Sequence, residues 1–300
     1  MNVTKDGFKD RQLHIEDYLQ MVSAEQKEYA EVSAHQRIAE NNDIITDFQT
    51  DNLMEQILHK DNLNKAYKKV KSNKGAAGVD GMSVDELLGF LRDNQKQLIQ
   101  QIKDGKYKPN PVHRVEIPKE TKGEFRKLGV PTVVDRVFQQ AITQVLSPIY
   151  EKQFSENSFG FRPNRGAHDA LKQCQTNVND GYVYVVDMDL EKFFDTVSQS
   201  KLIEVLSRTI KDGRVISLIH KYLNAGEISR GMFEKTAVGM PQGGPLSPLL
   251  SNIMLNEMDK ELTRRGHRFV RYADDCMIFC KSRKSAERTL ENIVPYIEGK

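Results

Sequence analysis

The chain has 300 residues, of which 29% are charged, and carries a formal net charge of +2. No apolar run approaches the roughly 20 residues that cross a bilayer, and the polar, mixed-charge first twenty residues do not form a secretory signal. Cys174, Cys276 and Cys280 form no Cys-x-x-Cys pair, which argues against a disulfide framework or a zinc site and favours the reducing cytoplasm.

Residues 1–50 differ in charge from the rest of the chain. They hold 5 Lys/Arg and 10 Asp/Glu, a net charge of −5, whereas the other 39 basic and 32 acidic residues give residues 51–300 a net charge of +7. Helical spacing with few strong apolar anchors predicts a partly helical, acidic extension over 1–50. The basic remainder is the part that could bind a polyanion.

The next elements of the chain are predicted to be helices around one β-hairpin. Helical periodicity begins at residue 51, and a capping box, Ser83-x-x-Glu86, predicts a long helix ending near Asp104. The runs 112–118 and 125–130 predict a hairpin with a basic tip. Thr132 and Asp135 predict the capped start of a further helix.

The second half of the chain is predicted to alternate strands with helices. A strand is predicted over 182–190, followed by two helices ending near Gly213 and Gly226. Ser247 and Pro248 predict the start of a third helix, which runs to about Arg265. A second hairpin is predicted over 269–279.

Two groups of carboxylates flank these predicted strands. Side chains alternate along a strand, so Asp187 and Asp189 share one face, and Asp274 and Asp275 come at the tip of the second hairpin. Adjacent carboxylates repel each other and resist desolvation, so such a pair is unfavourable between buried strands. A bound divalent cation would compensate both effects. For the pair at the tip alone, a solvated turn is the competing interpretation.

The segment 239–248, Gly-Met-Pro-Gln-Gly-Gly-Pro-Leu-Ser-Pro, is a stiff loop leading into a helix. Its glycines allow close approach of a ligand to the backbone, and a helix N-terminus favours an anion. A purely structural turn is the alternative.

Taken together, these stretches resemble one family. Residues 187–195, 241–248 and 272–275 are similar, in order and spacing, to motifs A, B and C of reverse transcriptases. Upstream, residues 75–81, 126–132 and 160–163 resemble the fingers blocks of group II intron reverse transcriptase/maturases. The resemblance covers about residues 51–300.

The resemblance implies an α+β fold in the shape of a right hand. Residues 51–180 would form the fingers, and residues 181–300 would form the palm, an antiparallel sheet with packed helices. The thumb that follows the palm in the family has no counterpart in these residues, and the acidic extension 1–50 falls outside the resemblance.

The resemblance also implies the roles of individual residues. Catalytic carboxylates would be Asp189, Asp274 and Asp275, which would hold two Mg²⁺ ions (or Mn²⁺ as a substitute) together with the backbone carbonyl of Leu190. Asp187 would orient the site or have a structural role. The incoming dNTP would contact Lys119, Arg126, Phe194 and Gln242, with the Phe194 ring excluding a ribose 2′-OH. Nucleic acid would contact Arg114, Arg162, Arg165 and Gly243, and further candidates for template contacts are Lys106 and Lys108.

Three functions share these motifs. The leading prediction is an RNA-directed DNA polymerase of a bacterial, cytoplasmic group II intron protein, with an RNA template, a DNA primer and dNTPs as partners. An RNA-binding splicing cofactor that acts on group II intron RNA is the second, and both can be true of one protein. An RNA-dependent RNA polymerase shares the palm, but Phe194 argues against it. A homodimer through apolar palm surface is also predicted, and no membrane partner.

Overall fold

The computed structural model describes residues 52–118, 125–190 and 192–299. Its helices are α1 Leu53–Ile57, α2 Lys60–Ser72, α3 Leu87–Lys103, α4 Val133–Glu151, α5 Ala167–Asn179, α6 Phe193–Thr196, α7 Gln199–Thr209, α8 Gly213–Leu223, α9 Ser247–Arg264 and α10 Arg283–Glu298. Its strands are β1 Val112–Pro118, β2 Phe125–Val130, β3 Tyr184–Met188, β4 Glu227–Ser229, β5 Met232–Glu234, β6 Arg268–Tyr272 and β7 Asp275–Cys280. The predicted extension 1–50 and the hairpin tip 119–124 lie outside the described residues. Among the helices of the described residues, none has the length and apolar character of a membrane span.

The chain divides into two compact units built from discontinuous segments. The first unit contains the described residues of 156–191 and 258–300, and the second contains those of 42–155 and 192–257. The mixed helix and strand content confirms the predicted α+β class. The boundaries 51–180 and 181–300, proposed for fingers and palm, stay a prediction.

The first unit is an antiparallel sheet of order β3-β7-β6 with a different core on each face. On one face, Val186, Phe269 and Ile278 pack with residues of α9 and α10. On the other, Val270 and Phe279 pack with residues of α5 and the segment before it. Because both faces contribute to a core, the strands are fixed in register between helices.

The second unit contains a four-stranded sheet of order β2-β1-β4-β5. The β1–β2 hairpin has the predicted bounds. The β4–β5 hairpin was not predicted, and its two-residue turn places Arg230 and Gly231 at φ 50° and 79°, the backbone of a type I′ turn. Val112 of β1 pairs with Glu227 of β4 in parallel, so this sheet joins segments more than a hundred residues apart.

Three predicted boundaries differ from the structure. Ser83 and Glu86 make the reciprocal bonds of a capping box, yet the regular helix begins at Leu87. The strand predicted over 182–190 is the shorter β3. Gly213 does not end a helix but begins α8, because the Asp212 side chain accepts a hydrogen bond from the Arg214 backbone N–H at 3.1 Å and caps the helix there.

Candidate active site

The predicted carboxylates of the first unit lie at one end of its sheet. In the ladder between β3 and β7, Met188, the last residue of β3, pairs with Cys276. Asp189 directly follows Met188, and Asp275 directly precedes Cys276 at the start of the antiparallel β7. The alternation predicted for β3 is present, because Val186 and Met188 are buried while Asp187 and Asp189 are exposed. The backbone therefore brings Asp189 and Asp275 to neighbouring strand ends.

The turn between β6 and β7 consists of Ala273 and Asp274, and Tyr272 pairs with Asp275 across it. Ala273 has a φ of 56°, the left-handed backbone that tight hairpin turns require. The segment before α5 supports this hairpin, since the Phe159 N–H donates to the Arg271 carbonyl at 2.9 Å and the Arg271 N–H donates to the Asn157 carbonyl at 2.8 Å. The prediction that Asp274 and Asp275 sit at a hairpin tip is confirmed.

Electrostatic repulsion is present at this end of the sheet. Although the residue as a whole is exposed, partial desolvation of the Asp187 carboxyl raises its pKa, and the negative charge of Asp189 raises it further. Within 52–118, 125–190 and 192–299, no three acidic, His or Cys side chains are gathered closely enough to hold a metal by themselves. Mg²⁺ commonly takes one or two carboxylates and completes its shell with water and substrate phosphates, so this donor set fits it in chemistry.

In the second unit, the loop 239–248 is fixed by backbone contacts. The Met240 N–H donates to the Phe194 carbonyl at 2.7 Å, and the Gly129 N–H donates to the Gln242 carbonyl at 2.7 Å. A Cβ on Gly239, whose φ is 80°, would lie 2.7 Å from the Asp195 carbonyl oxygen. The loop therefore ties α6 to the end of β2, and it brings together the segments that carry Phe194 and Gln242.

The predicted dNTP contacts differ in their surroundings. Phe193 is buried, and its ring meets that of the half-buried Phe194 edge-on with centroids 5.6 Å apart. Arg126 lies on β2, the strand that ends beside the loop 239–248. Lys119 lies outside the described residues.

The arginines predicted to contact nucleic acid already have partners within the protein. Arg114 lies 3.3 Å from Glu227 and 3.7 Å from Asp195, and its side chain is 13% exposed. Arg162 is buried and donates to the Ser158 carbonyl at 2.8 Å. Arg165 pairs with Glu156 and lies over the Phe159 ring. Gly243, with a φ of 126°, packs against the carbonyl of Gly129. Their roles toward nucleic acid stay predictions.

One buried ion pair beside the turn was missed in the sequence. Arg271 and Asp259 are both fully buried and form two parallel hydrogen bonds. Asp259 follows Leu255 by four residues and precedes Leu262 by three, so it lies on the apolar stripe of α9. A carboxylate on such a stripe signals a buried cation nearby, although the sequence does not say which one.

Comparison with known proteins settles the family. The sequence profile described as "Reverse transcriptase (RNA-dependent DNA polymerase)" matches residues 117–298, more than half of the chain. The chain belongs to the reverse transcriptase family. Reverse transcriptases generally use divalent metals, in keeping with the carboxylates at the end of the sheet.

Curated relatives confirm the resemblance to group II intron proteins. The chain is 38% identical over 236 residues to the group II intron-encoded protein LtrA of Lactococcus lactis subsp. cremoris, a match that covers 79% of the chain and 39% of LtrA. It is 30% identical over 177 residues to nuclear intron maturase 2, mitochondrial, of Arabidopsis thaliana, covering 46% and 24%. This reverse transcriptase chain thus spans about two-fifths of the length of LtrA.

A solved structure supports the fold. A chain of the partial Cas6-RT-Cas1–Cas2 complex superimposes with a TM-score of 0.51 at 24% sequence identity, covering 82% of this chain and 42% of that one. At this identity the likeness concerns the reverse transcriptase fold alone.

Proposed function

We propose that this chain is the polymerase part of a group II intron reverse transcriptase, which joins a dNTP to the 3′-hydroxyl of a DNA primer on an RNA template. The observation that carries the proposal is the register of the β3–β7 ladder. The residues beside its last pair, Met188 and Cys276, are Asp189 and Asp275, and Asp274 lies in the adjoining turn. Fingers and a palm belong to the same proposal.

The proposed metal ligands are Asp189, Asp274 and Asp275, with the carbonyl of Leu190. Two Mg²⁺ ions, when bound, would lower the pKa of the attacking hydroxyl and stabilise the leaving phosphate oxygens. The task of the protein is to hold the carboxylates at fixed positions on two strands and a two-residue turn. Asp187 would orient the site or have a structural role.

The proposed nucleotide contacts are Lys119, Arg126, Phe194 and Gln242. Arg126 would bind the triphosphate through its planar guanidinium, and Lys119 through its point charge. Phe194 would exclude the 2′-OH of a ribonucleotide, which gives selectivity for dNTPs. The backbone bonds from Met240 to Phe194 and from Gly129 to Gln242 would keep these contacts in place.

A second proposed function is the binding of group II intron RNA during splicing. The similarity to LtrA and to an intron maturase favours it. Binding of this kind uses basic surface and is separate from the carboxylates. We also propose that the protein is located in the bacterial cytoplasm. We further propose that it forms a homodimer, and light scattering in solution tests this.

The substitution Asp274→Asn tests the polymerase function. Loss of one metal ligand should lower the rate of primer extension on an RNA template at least about a hundredfold, because even residues that only orient metal ligands are worth 10- to 100-fold. Affinity for intron RNA, measured by filter binding, should stay unchanged.

The matched control is Asp93→Asn, which removes an exposed carboxylate from α3. It should extend the primer at the wild-type rate. Extension by folded Asp274→Asn at that same rate would contradict the assignment of the carboxylates. Loss of both extension and RNA binding in the folded variant would contradict a separate RNA-binding surface.

A further inference from the structure

Arg271 is a charged residue in a fully buried position of β6. Its Nε donates to Asp259 Oδ1 at 2.8 Å and its Nη2 donates to Asp259 Oδ2 at 2.7 Å. Both side chains are 0% exposed. This is the planar two-bond arrangement that an arginine makes with a carboxylate and that a lysine cannot copy.

The same guanidinium also holds the turn that contains Asp274. Arg271 Nη1 donates to the carbonyl oxygen of Ala273 at 2.8 Å. That carbonyl belongs to the peptide bond between Ala273 and Asp274, so a shift of the guanidinium would rotate the peptide that begins Asp274. One arginine thus connects Asp259 on α9 to the backbone of the turn.

Arg271 lies on the sheet face opposite to the carboxylates of β3. It pairs with Cys276, which belongs to the buried cluster with Val186 and Met188, whereas Asp187 and Asp189 alternate onto the other face. A residue in this position does not contact a nucleotide bound by the carboxylates. Its effect on that site must pass through the turn.

Stability alone is a weak reason for this ion pair. Desolvation of two charges offsets most of their attraction. Well-packed apolar residues can therefore often replace a buried ion pair without loss of folding stability. A specific geometry is what apolar residues would not supply, because they cannot donate to the Ala273 carbonyl.

We propose that Arg271 and Asp259 are positioning residues that fix the Ala273–Asp274 turn so that Asp274 and Asp275 bind divalent cations. The inference rests on the proposed function of those two carboxylates. Asp259 orients the guanidinium, and the guanidinium holds the Ala273 carbonyl. The position of this carbonyl then fixes the turn and, with it, the backbone of the two acids.

The decisive variant of the full chain replaces both partners, Arg271→Met with Asp259→Leu, so that no unpaired charge is left buried. Mn²⁺ binding is measured by electron paramagnetic resonance, and hydrogen exchange of the amides at 273–275 by mass spectrometry. The half-saturating Mn²⁺ concentration should rise about tenfold, the lower end of the effect of residues that orient ligands. Exchange in the turn should become faster, while the thermal midpoint stays near that of the wild type.

The control is the double variant Arg268→Met with Asp180→Leu, which removes another ion pair of β6. This pair is about half-exposed and lies at the end of β6 that is farther from the turn. The control variant should change neither Mn²⁺ affinity nor exchange at 273–275. Arg271→Lys is the second test variant, because it keeps a charge beside Asp259 but cannot hold both carboxylate oxygens and the Ala273 carbonyl. It should weaken Mn²⁺ binding in the same direction.

Two outcomes separate this inference from the proposed function. If Asp274→Asn loses Mn²⁺ while the double variant and Arg271→Lys bind it as the wild type does, the positioning role is wrong and the metal site stands. If Asp274→Asn binds Mn²⁺ unchanged, the proposed metal site is itself wrong. Should the double variant fail to fold, Arg271→Lys decides alone.

Discussion

At the scale of single residues, Gly160 shows how closely the protein packs around the turn formed by Ala273 and Asp274. A Cβ at this position would lie 2.3 Å from the Ala273 nitrogen and 3.0 Å from its Cα. Both atoms belong to the backbone, so a side chain cannot be accommodated by a rotamer change. The glycine allows the segment before α5 to lie directly against the turn that carries Asp274.

We expect Gly160→Ala to lower the free energy of unfolding by about 1–3 kcal/mol, the usual range for an extra group forced into a packed site. Denaturation in urea measures it. The matched control is Gly89→Ala in α3, where a Cβ meets no atom within 4 Å. This control substitution should raise the free energy of unfolding by about 0.5–1 kcal/mol, because alanine is more favourable than glycine within a helix. Equal effects of the two substitutions would contradict the packing argument.

At the scale of elements, the start of α4 depends on the buried carboxylate of Asp135. It accepts hydrogen bonds from the Tyr107 hydroxyl at 2.7 Å, the Thr132 hydroxyl at 2.7 Å and the Asn110 N–H at 3.1 Å. Burial raises the pKa of the Asp135 carboxyl, and these hydrogen bonds oppose the shift. The carboxylate thereby joins the first turn of α4 to the segment that leads into β1.

Replacing Asp135 by Asn should destabilise the protein, because the amide keeps one acceptor oxygen in place of two and the donors that faced the other oxygen lose their acceptor. We expect a loss of about 1–3 kcal/mol in the free energy of unfolding, the cost of unsatisfied buried polar groups. Thermal denaturation measures the change.

Asp169→Asn is the matched control, since Asp169 occupies the same third position of α5 but is exposed and bonds the Gly166 N–H at 3.0 Å. The substitution Asp169→Asn should lower the free energy of unfolding by less than about 1 kcal/mol. A larger loss for Asp169→Asn than for Asp135→Asn would show that capping, and not burial, governs these positions.

At the scale of the whole molecule, the distribution of charge matters more than its sum. Residues 1–50 carry −5 and residues 51–300 carry +7, so the segment outside the described residues offsets much of the positive charge of the remainder. RNA affinity depends steeply on such charge, because binding releases counterions from the phosphates.

We predict that replacing the ten acids of residues 1–50 by their amides strengthens RNA binding several-fold at low salt and has little effect at high salt. A salt series of filter-binding measurements tests it. The opposite change, replacing the five basic residues of the same segment by Gln, should weaken binding under the same conditions. The same shift from both variants would exclude a simple effect of charge.

Local patterns predicted the elements that hold the proposed site residues. The bounds of the β1–β2 hairpin, the alternation of Asp187 and Asp189 on β3 and the acids at the tip of the β6–β7 hairpin follow from periods of two residues and from turn-forming residues. Helix α5 and the short β4–β5 hairpin were missed. The parallel pairing of Val112 with Glu227 joins segments far apart in the chain, which no local pattern encodes.

The sequence by itself determined the family, the alternation that puts Asp187 and Asp189 on one face, and the hairpin that carries Asp274 and Asp275, because motif order and side-chain alternation are properties of the chain. Only the tertiary structure decided that Arg271 reaches Asp259 and the Ala273 carbonyl, and that Arg114 and Arg162 are occupied within the protein. A buried charge must find its partner in space. That partner depends on which helix packs on which sheet face, and strand periodicity does not contain this information.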